Sequence, residues 1–291
     1  MKLARRHFVA LLGTLTASVA TTSFAVKPAE LVEPVHRVAN VPAPKPMQVA
    51  GSQLDRALDI ARRGLQNCRA TVDDYTATLV FRENVNGTLG SYQYAAAKIR
   101  NRKVVNGKIV QPLSVYLNFL KPSKIKGREV IYVEGANGGN LIAHEGGTAG
   151  AFLPTMTVSP NSMLAMRGQR YPMTEIGLEN LIVKLIERGE KATKKSPDVT
   201  CEFRKGAKVK DRVCTVFEVT QPTRYVGAEF YQAQVFMDDE RNIPIRYVAY
   251  DWPSQKGSPL TILEEYNYMN VKINVGLTDA DFDRENPKYN F

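Results

Sequence analysis

Between residues 75 and 273 the sequence returns again and again to a two-residue period, interrupted mostly by short, turn-rich breaks. In the first such stretch Tyr75, Ala77, Leu79 and Phe81 alternate with Thr76, Thr78 and Arg82, and Asn86-Gly87 then supplies a hairpin turn. Successive side chains of a strand point to opposite faces of a sheet, so each stretch offers one apolar face. The same reading places strands at 89–100, 113–120, 128–134 and 140–145, then at 199–204, 212–220, 231–238, 243–250 and 260–273. Parallel neighbours need crossovers of about a dozen residues or more, and these connections are too short for that. The strands must therefore run antiparallel.

Two stretches change to the helical period. From Ser52, with Asp55 in the first turn, Leu54, Leu58, Ala61, Leu65 and Cys68 recur at spacings of three and four. They form one buried stripe, in which Cys68 is a small core residue. A second helix is expected over 174–188, capped by Thr174 and stopped by Gly189, with a short helical piece before it over 162–169. Its apolar face carries Leu178, Leu181, Ile182, Leu185 and Ile186. The order is helix, five strands, helices, five strands. That is an α+β arrangement, a large curved antiparallel sheet with helices packed on one face.

The N-terminus reads as an export signal. Lys2, Arg5 and Arg6 precede the apolar run 8–20, and Ser23-Phe24-Ala25 has the small residues of a cleavage site after Ala25. The run is well short of the roughly 20 residues that span a bilayer. Arg5-Arg6 resembles a twin-arginine signal without its usual Ser or Thr, so the Sec and Tat routes both stay open. No cysteine follows the cut, which leaves no site for a lipoprotein anchor. Pro28, Pro34, Pro42, Pro44 and Pro46 then mark residues 26–51 as a linker. The expected organisation is a signal peptide (1–25), this linker and one domain (52–291), in an exported, periplasmic protein.

Composition narrows the chemistry. Of the three histidines, His7 and His36 precede the domain, and His144 alone cannot build a His-rich metal site. His144 is also the one residue around which a hydrolase could be built, but Glu145, its strand neighbour, points to the other face and cannot orient it. Residues 189–196 approach a phosphate-binding loop, yet Lys194 stands where the second glycine belongs. No catalytic set emerges, and neither an enzyme nor a cofactor is expected. Cys201 and Cys214 flank an expected turn at 206–210, where a register pairing 201 with 214 allows a disulfide and an odd-length loop separates them. The formal charge is +10. Part of it gathers before and within one hairpin, where Lys205, Lys208, Lys210 and Arg212 make a basic patch. On an exported protein, such a patch suits an anionic membrane surface or an acidic partner better than nucleic acid. Lysines on an exposed strand also serve simply to discourage edge pairing.

Tyr116-Leu117-Asn118-Phe119-Leu120-Lys121-Pro122, the stretch from Gly127 to Glu134, Phe236-Met237-Asp238-Asp239, Ile243-Pro244-Ile245-Arg246-Tyr247, Glu265-Tyr266-Asn267-Tyr268 and the closing stretch from Asp281 to Phe291 carry a resemblance. Across 52–291 the chain resembles an uncharacterised bacterial family, domain of unknown function 1571. More remotely it is similar to the LolA and LolB lipoprotein carriers and to sensor domains of envelope-stress regulators. That resemblance implies an unclosed half-barrel with helices as a lid over a lipid-binding concavity. If the helices cover the sheet incompletely, Leu79, Phe81, Leu117 and Phe119 from strands and Leu178, Leu181 and Leu185 from the helix would line an apolar cavity for an acyl chain, a lipid or an acylated protein. If they fill it, the same residues are ordinary core. The leading expectation is a non-enzymatic envelope carrier. The alternative is an interaction or sensor module with a protein partner, and the oligomeric state is left open.

Overall fold

The computed structural model describes residues 36–37, 52–150 and 152–291, which fall within one compact unit, Glu33–Phe291. The expected signal peptide and nearly all of the linker lie outside the described residues. The first helix, α1 (Ser52–Thr71), carries its stripe as anticipated, with Leu54, Leu58 and Cys68 buried and Ala61 and Leu65 packed beside them.

Among the described residues, thirteen strands form one antiparallel sheet that does not close into a barrel. The first meander runs β2 (Asp74–Val85), β4 (Gln93–Arg100), β7 (Ser114–Lys121), β8 (Glu129–Val133), β9 (Leu141–His144) and β10 (Met156–Val158). The short β3 (Thr88–Leu89) folds back on β2 across the Asn86-Gly87 turn, where both residues have positive φ. The second meander comprises β11 (Thr200–Val209), β12 (Arg212–Thr220), β13 (Gln232–Asp238), β14 (Pro244–Tyr250) and β15 (Ile262–Ile273). The halves join where β15 pairs with β2, setting Tyr266 opposite Phe81 and Tyr268 opposite Leu79. Two elements escaped the periodicity argument: β10, and a separate hairpin of β5 (Lys103–Val105) and β6 (Lys108–Gln111). A further surprise is β1 (His36–Arg37), a piece of the linker that pairs with Val209 and Lys208 on the edge of β11.

The four-residue α2 (Gly147–Gly150) precedes the long α3 (Leu178–Lys195), and here the structure corrects the expected helix limits. Residues 162–169 form turns, and Thr174 sits in a separate 3₁₀ turn. The cap of α3 is Gly177, at φ 117°. No side chain on the helix caps its start. The Leu178 amide donates to the Tyr75 hydroxyl at 2.8 Å, and the Gly177 amide donates to Tyr268 at 3.3 Å. A Cβ on Gly177 would stand 3.3 Å from the Tyr75 oxygen, so the sheet fixes both where the helix begins and why glycine is there. Gly189 does not stop the helix either. It lies in the α1–α3 contact, where a Cβ would come within 2.7 Å of Leu58.

The basic hairpin turns at Lys210-Asp211, not at 206–210, with Lys210 in the left-handed region. Cys201 therefore faces Val219, and Cys214 faces Ala207, across a bulge between Arg204 and Ala207. The disulfide is absent, and Cys68, Cys201 and Cys214 are all free and buried. Burial pushes the Cys68 thiol up to about 11 and those of Cys201 and Cys214 to about 12. None is a thiolate at neutral pH.

Two outcomes follow. Tyr75→Phe strands a buried amide and should cost about 1–3 kcal/mol in urea unfolding while leaving the β-sheet circular dichroism unchanged. A thiol reagent should react slowly with the native protein and count every cysteine of residues 52–291 as free once it is denatured without reductant.

Candidate functional site

Between the sheet's inner face and α3 lies a cavity of about 180 Å³. Its floor comes from alternate residues of two strand pairs that flank β4 in the sheet: Leu79 and Phe81 of β2 with Tyr266 and Tyr268 of β15 on one side, and Leu117 and Phe119 of β7 with Val130 of β8 on the other. The aromatic rings interlock. Phe81 meets Phe119 edge to face at 6.4 Å and stacks on Tyr266 at 6.0 Å, which in turn stacks near Tyr247 at 6.5 Å. The cover consists of Leu181 from α3 and of Pro160, Leu164, Ala165, Met173 and Ile176 from the segment before it. While Leu79 and Leu117 are 2% exposed, Leu164 is 48% exposed, so the cavity reaches solvent under this segment.

Five of the seven residues expected from the sequence thus meet around one space: Leu79, Phe81, Leu117, Phe119 and Leu181. Leu178 does not. It is fully buried core at the start of α3, drawn down by the Tyr75 bond. Leu185 faces a second, smaller cavity of about 70 Å³ between α1, α3 and strands β12 and β13. The seam tyrosines, Met156 and Val158 of β10, and the segment 160–177 were missed. Segment 160–177 has no regular period to betray it.

One side of the cavity is polar, and its charges are matched to one another. Arg188 of α3 donates to Glu229 at 2.9 Å, to Tyr247 at 3.0 Å, to Glu264 at 3.3 Å and to Tyr171 at 2.6 Å. Burial works against its charge, and the surrounding Tyr247, Glu264, Tyr171 and Glu229 more than compensate, raising its pKa. Arg170 holds Glu264 at 3.0 Å, Arg128 holds Glu145 at 2.7 Å, and Lys184 holds Glu175 at 3.4 Å. Glu83 accepts from the Tyr266 hydroxyl and from the Arg170 amide. Its carboxyl is pushed up by burial, against those bonds and with the help of the neighbouring Glu264.

His144 stands apart from this space. Its strand neighbours Ala143 and Glu145 both line the cavity, so the imidazole points to the opposite face, where Nδ1 lies 3.3 Å from the Thr155 hydroxyl. Glu145, bound to Arg128, does not orient it. Among the described residues no cluster of three His, Cys, Asp or Glu side chains is placed to hold a metal, and no helix is long and apolar enough to cross a membrane. The basic hairpin is less free than its sequence suggests. Arg212 is clamped by Asp238 at 2.6 Å and by Glu240 at 2.8 Å, and Lys210 bonds Asn270 at 2.7 Å. Lys205 and Lys208 stay exposed, with β1 on the strand edge beside Lys208.

The family model for a protein of unknown function, DUF1571, matches residues 72–291, and the chain belongs to that family. No curated protein matches the chain. Among solved structures, it is similar to a DUF1329 family protein from Desulfovibrio piger, at 15% identity over 80% of this chain and 98% of that one, with a TM-score of 0.38. It is also similar to a chain of the Pseudomonas aeruginosa MucA/MucB complex, at 15% identity, 78% and 60% coverage and a TM-score of 0.42. A LolA superfamily protein from Nitrosomonas europaea matches at 10% identity, 77% and 97% coverage and a TM-score of 0.31.

Because the Glu83 pKa is raised in the folded state, ionising it costs stability as pH climbs through the ordinary carboxylate range. Glu83→Gln should therefore melt higher than the parent at neutral pH, and the gain should vanish below about pH 4, where the parent's carboxyl is neutral in both states. A pH series of melting curves reads this directly.

Proposed function

We propose that this member of the family is an exported, non-enzymatic protein of the cell envelope that binds an acyl chain in the cavity beneath α3. The observation that carries this reading is the combination of an apolar, aromatic floor with charged groups that already satisfy one another. Arg188, Arg170, Arg128 and Lys184 each have a carboxylate partner, so the interior offers a ligand apolar contact and no spare cation. An acyl chain needs nothing else. Each buried methylene contributes about 0.8 kcal/mol, which gives useful affinity without a salt link.

The size of the cavity shapes the proposal. At about 180 Å³ it is smaller than the roughly 300–1,000 Å³ of pockets that enclose a drug-sized ligand. It accommodates part of a long chain, and the rest, with its head group, leaves past Leu164 and Lys184. The acylated molecule is a free lipid or the lipid-bearing end of a protein. Export rests on the N-terminal sequence, with Lys2, Arg5 and Arg6 ahead of the apolar run and cleavage after Ala25.

Mass spectrometry of organic extracts from gently purified protein tests the reading. The parent should release a fatty-acyl species in near-stoichiometric amount, and Leu181→Trp, which fills the space from the helix side, should lose most of it while keeping the sheet's circular dichroism. A parent that is free of lipid and takes up no fluorescent fatty acid would sink the proposal.

A further inference from the structure

Two of the three most exposed large apolar side chains among the described residues lie in the chain that borders this cavity, the third being Val226 of another loop. Phe152 is 90% exposed and Met163 is 92% exposed, with Leu153 and Leu164 about half exposed beside them in sequence. Leu164 lines the cavity itself, and Phe152 and Leu153 lie in the short stretch of chain between two residues that line it, Glu145 and Met156. Gly150, two residues before Phe152, packs its backbone on Glu145, and Glu145, Met156, Pro160 and Leu164 all line the cavity.

Cations lie on the same stretches of chain and on the turn that packs against α2. The Lys124 carbonyl approaches Gly147, and the Lys126 carbonyl accepts from the Gly147 amide at 2.7 Å, so the turn Ser123–Ile125 lies directly under α2 and the chain leading to Phe152. Lys124, Lys126 and Arg167 are exposed, and among the described residues none of them has a carboxylate partner. This differs from the cavity wall just inside, where every cation is paired. A rim of large apolar side chains, with unpaired positive charge and an apolar channel at its centre, is complementary to one kind of surface, the headgroup region of an anionic bilayer.

We infer that the cavity mouth is a membrane-docking surface, with Phe152 and Met163 entering the headgroup region and Lys124, Lys126 and Arg167 meeting anionic lipid. The inference rests on the acyl-binding reading and extends it, because docking there brings the opening onto the lipid without carrying a bare chain through water. It also moves the membrane contact away from the Lys205–Arg212 hairpin, where Arg212 is neutralised by Asp238 and Glu240.

Co-sedimentation of the full chain with vesicles of phosphatidylcholine and phosphatidylglycerol in equal parts, and with pure phosphatidylcholine vesicles, tests it. The parent should pellet with the anionic vesicles and much less with the neutral ones. Removing two large apolar contacts in Phe152→Ser/Met163→Ser should weaken binding at least about tenfold. Lys124→Glu/Lys126→Glu should weaken it by a similar factor and flatten its salt dependence. Both double variants should still take up a fluorescent fatty acid in solution, and Leu181→Trp should still bind anionic vesicles, which separates failure of the docking surface from failure of the cavity. A parent that stays in the supernatant, or rim variants that pellet like the parent, would overturn the inference. So would rim-dependent self-association in analytical ultracentrifugation, since a second copy would then be the occupant, or equal binding to both vesicle types.

Discussion

The pairing of β2 with β15 is the constraint on which the rest of the molecule depends. These strands come from opposite ends of the domain, with Glu83 set opposite Glu264 and Phe81 opposite Tyr266. Without that pairing the chain would be two separate meanders, each with an uncovered edge. Closing so long a loop carries an entropic cost, and both faces of the seam supply compensating contacts. On the inner face Phe81 stacks on Tyr266, and Tyr268 reaches the start of α3. On the outer face the Glu265 carboxylate is buried between Arg82 and Arg246, with the Tyr92 hydroxyl donating to it at 2.8 Å. The cavity floor is therefore a product of the seam, since it takes side chains from both halves.

The two faces of the sheet are finished in opposite ways. The outer face is sealed over β7 and β8: Phe282, Tyr289 and Phe291 of the C-terminal stretch cover Tyr116 and Ile131, Tyr289 stacks on Tyr116 at 4.0 Å, and Asn290 is held by the buried Glu129. Lys98 ties the same stretch down through Asp281 at 2.7 Å. The inner face is covered by two helices that leave a space between α3 and the β2, β7 and β8 strands. A filled core would need larger side chains on the cover there. Instead that region is spanned by an irregular segment that contributes proline, alanine and methionine around Leu164.

What could be read from sequence was what local period determines. The strand faces Tyr75 to Phe81 and the stripe of α1 depend only on neighbours a few residues away, and they were legible. The start of α3 was not, because its cap is supplied by Tyr75 and Tyr268, each about a hundred residues away, while Thr174 offered a plausible local cap that the sheet does not use. Gly189 was misread for the same reason. A glycine near a helix end normally signals a stop, but this one is required by Leu58 of another helix. The hairpin error came from counting Gly206 as the turn when it belongs to a bulge, which moved the register and removed the cysteine pairing. Strand residues of the cavity were legible as inward-facing positions. Whether they met a helix or a void depended on where α3 docks.

That docking is consistent with the proposed acyl-chain function, in which one cavity both holds and releases an apolar ligand. At its start α3 is fixed by buried tyrosine hydroxyls, and along its length by Arg188, which spends its charge on Glu264 of the sheet and Glu229 of a loop. Moving the helix would leave buried charges unpaired, and that is expensive. Residues 170–177 share such ties, through Arg170 to Glu83 and Glu264 and through Tyr171 to Arg188, whereas residues 160–169 are built from turns whose hydrogen bonds are local. Local opening takes place where buried contacts are few, so this latter stretch, not the helix, is the element that can yield to a chain longer than the cavity. On that reading the cover is divided into a fixed part, α3 with residues 170–177, that sets the shape of the site and a yielding part, residues 160–169, that sets its capacity and carries Met163.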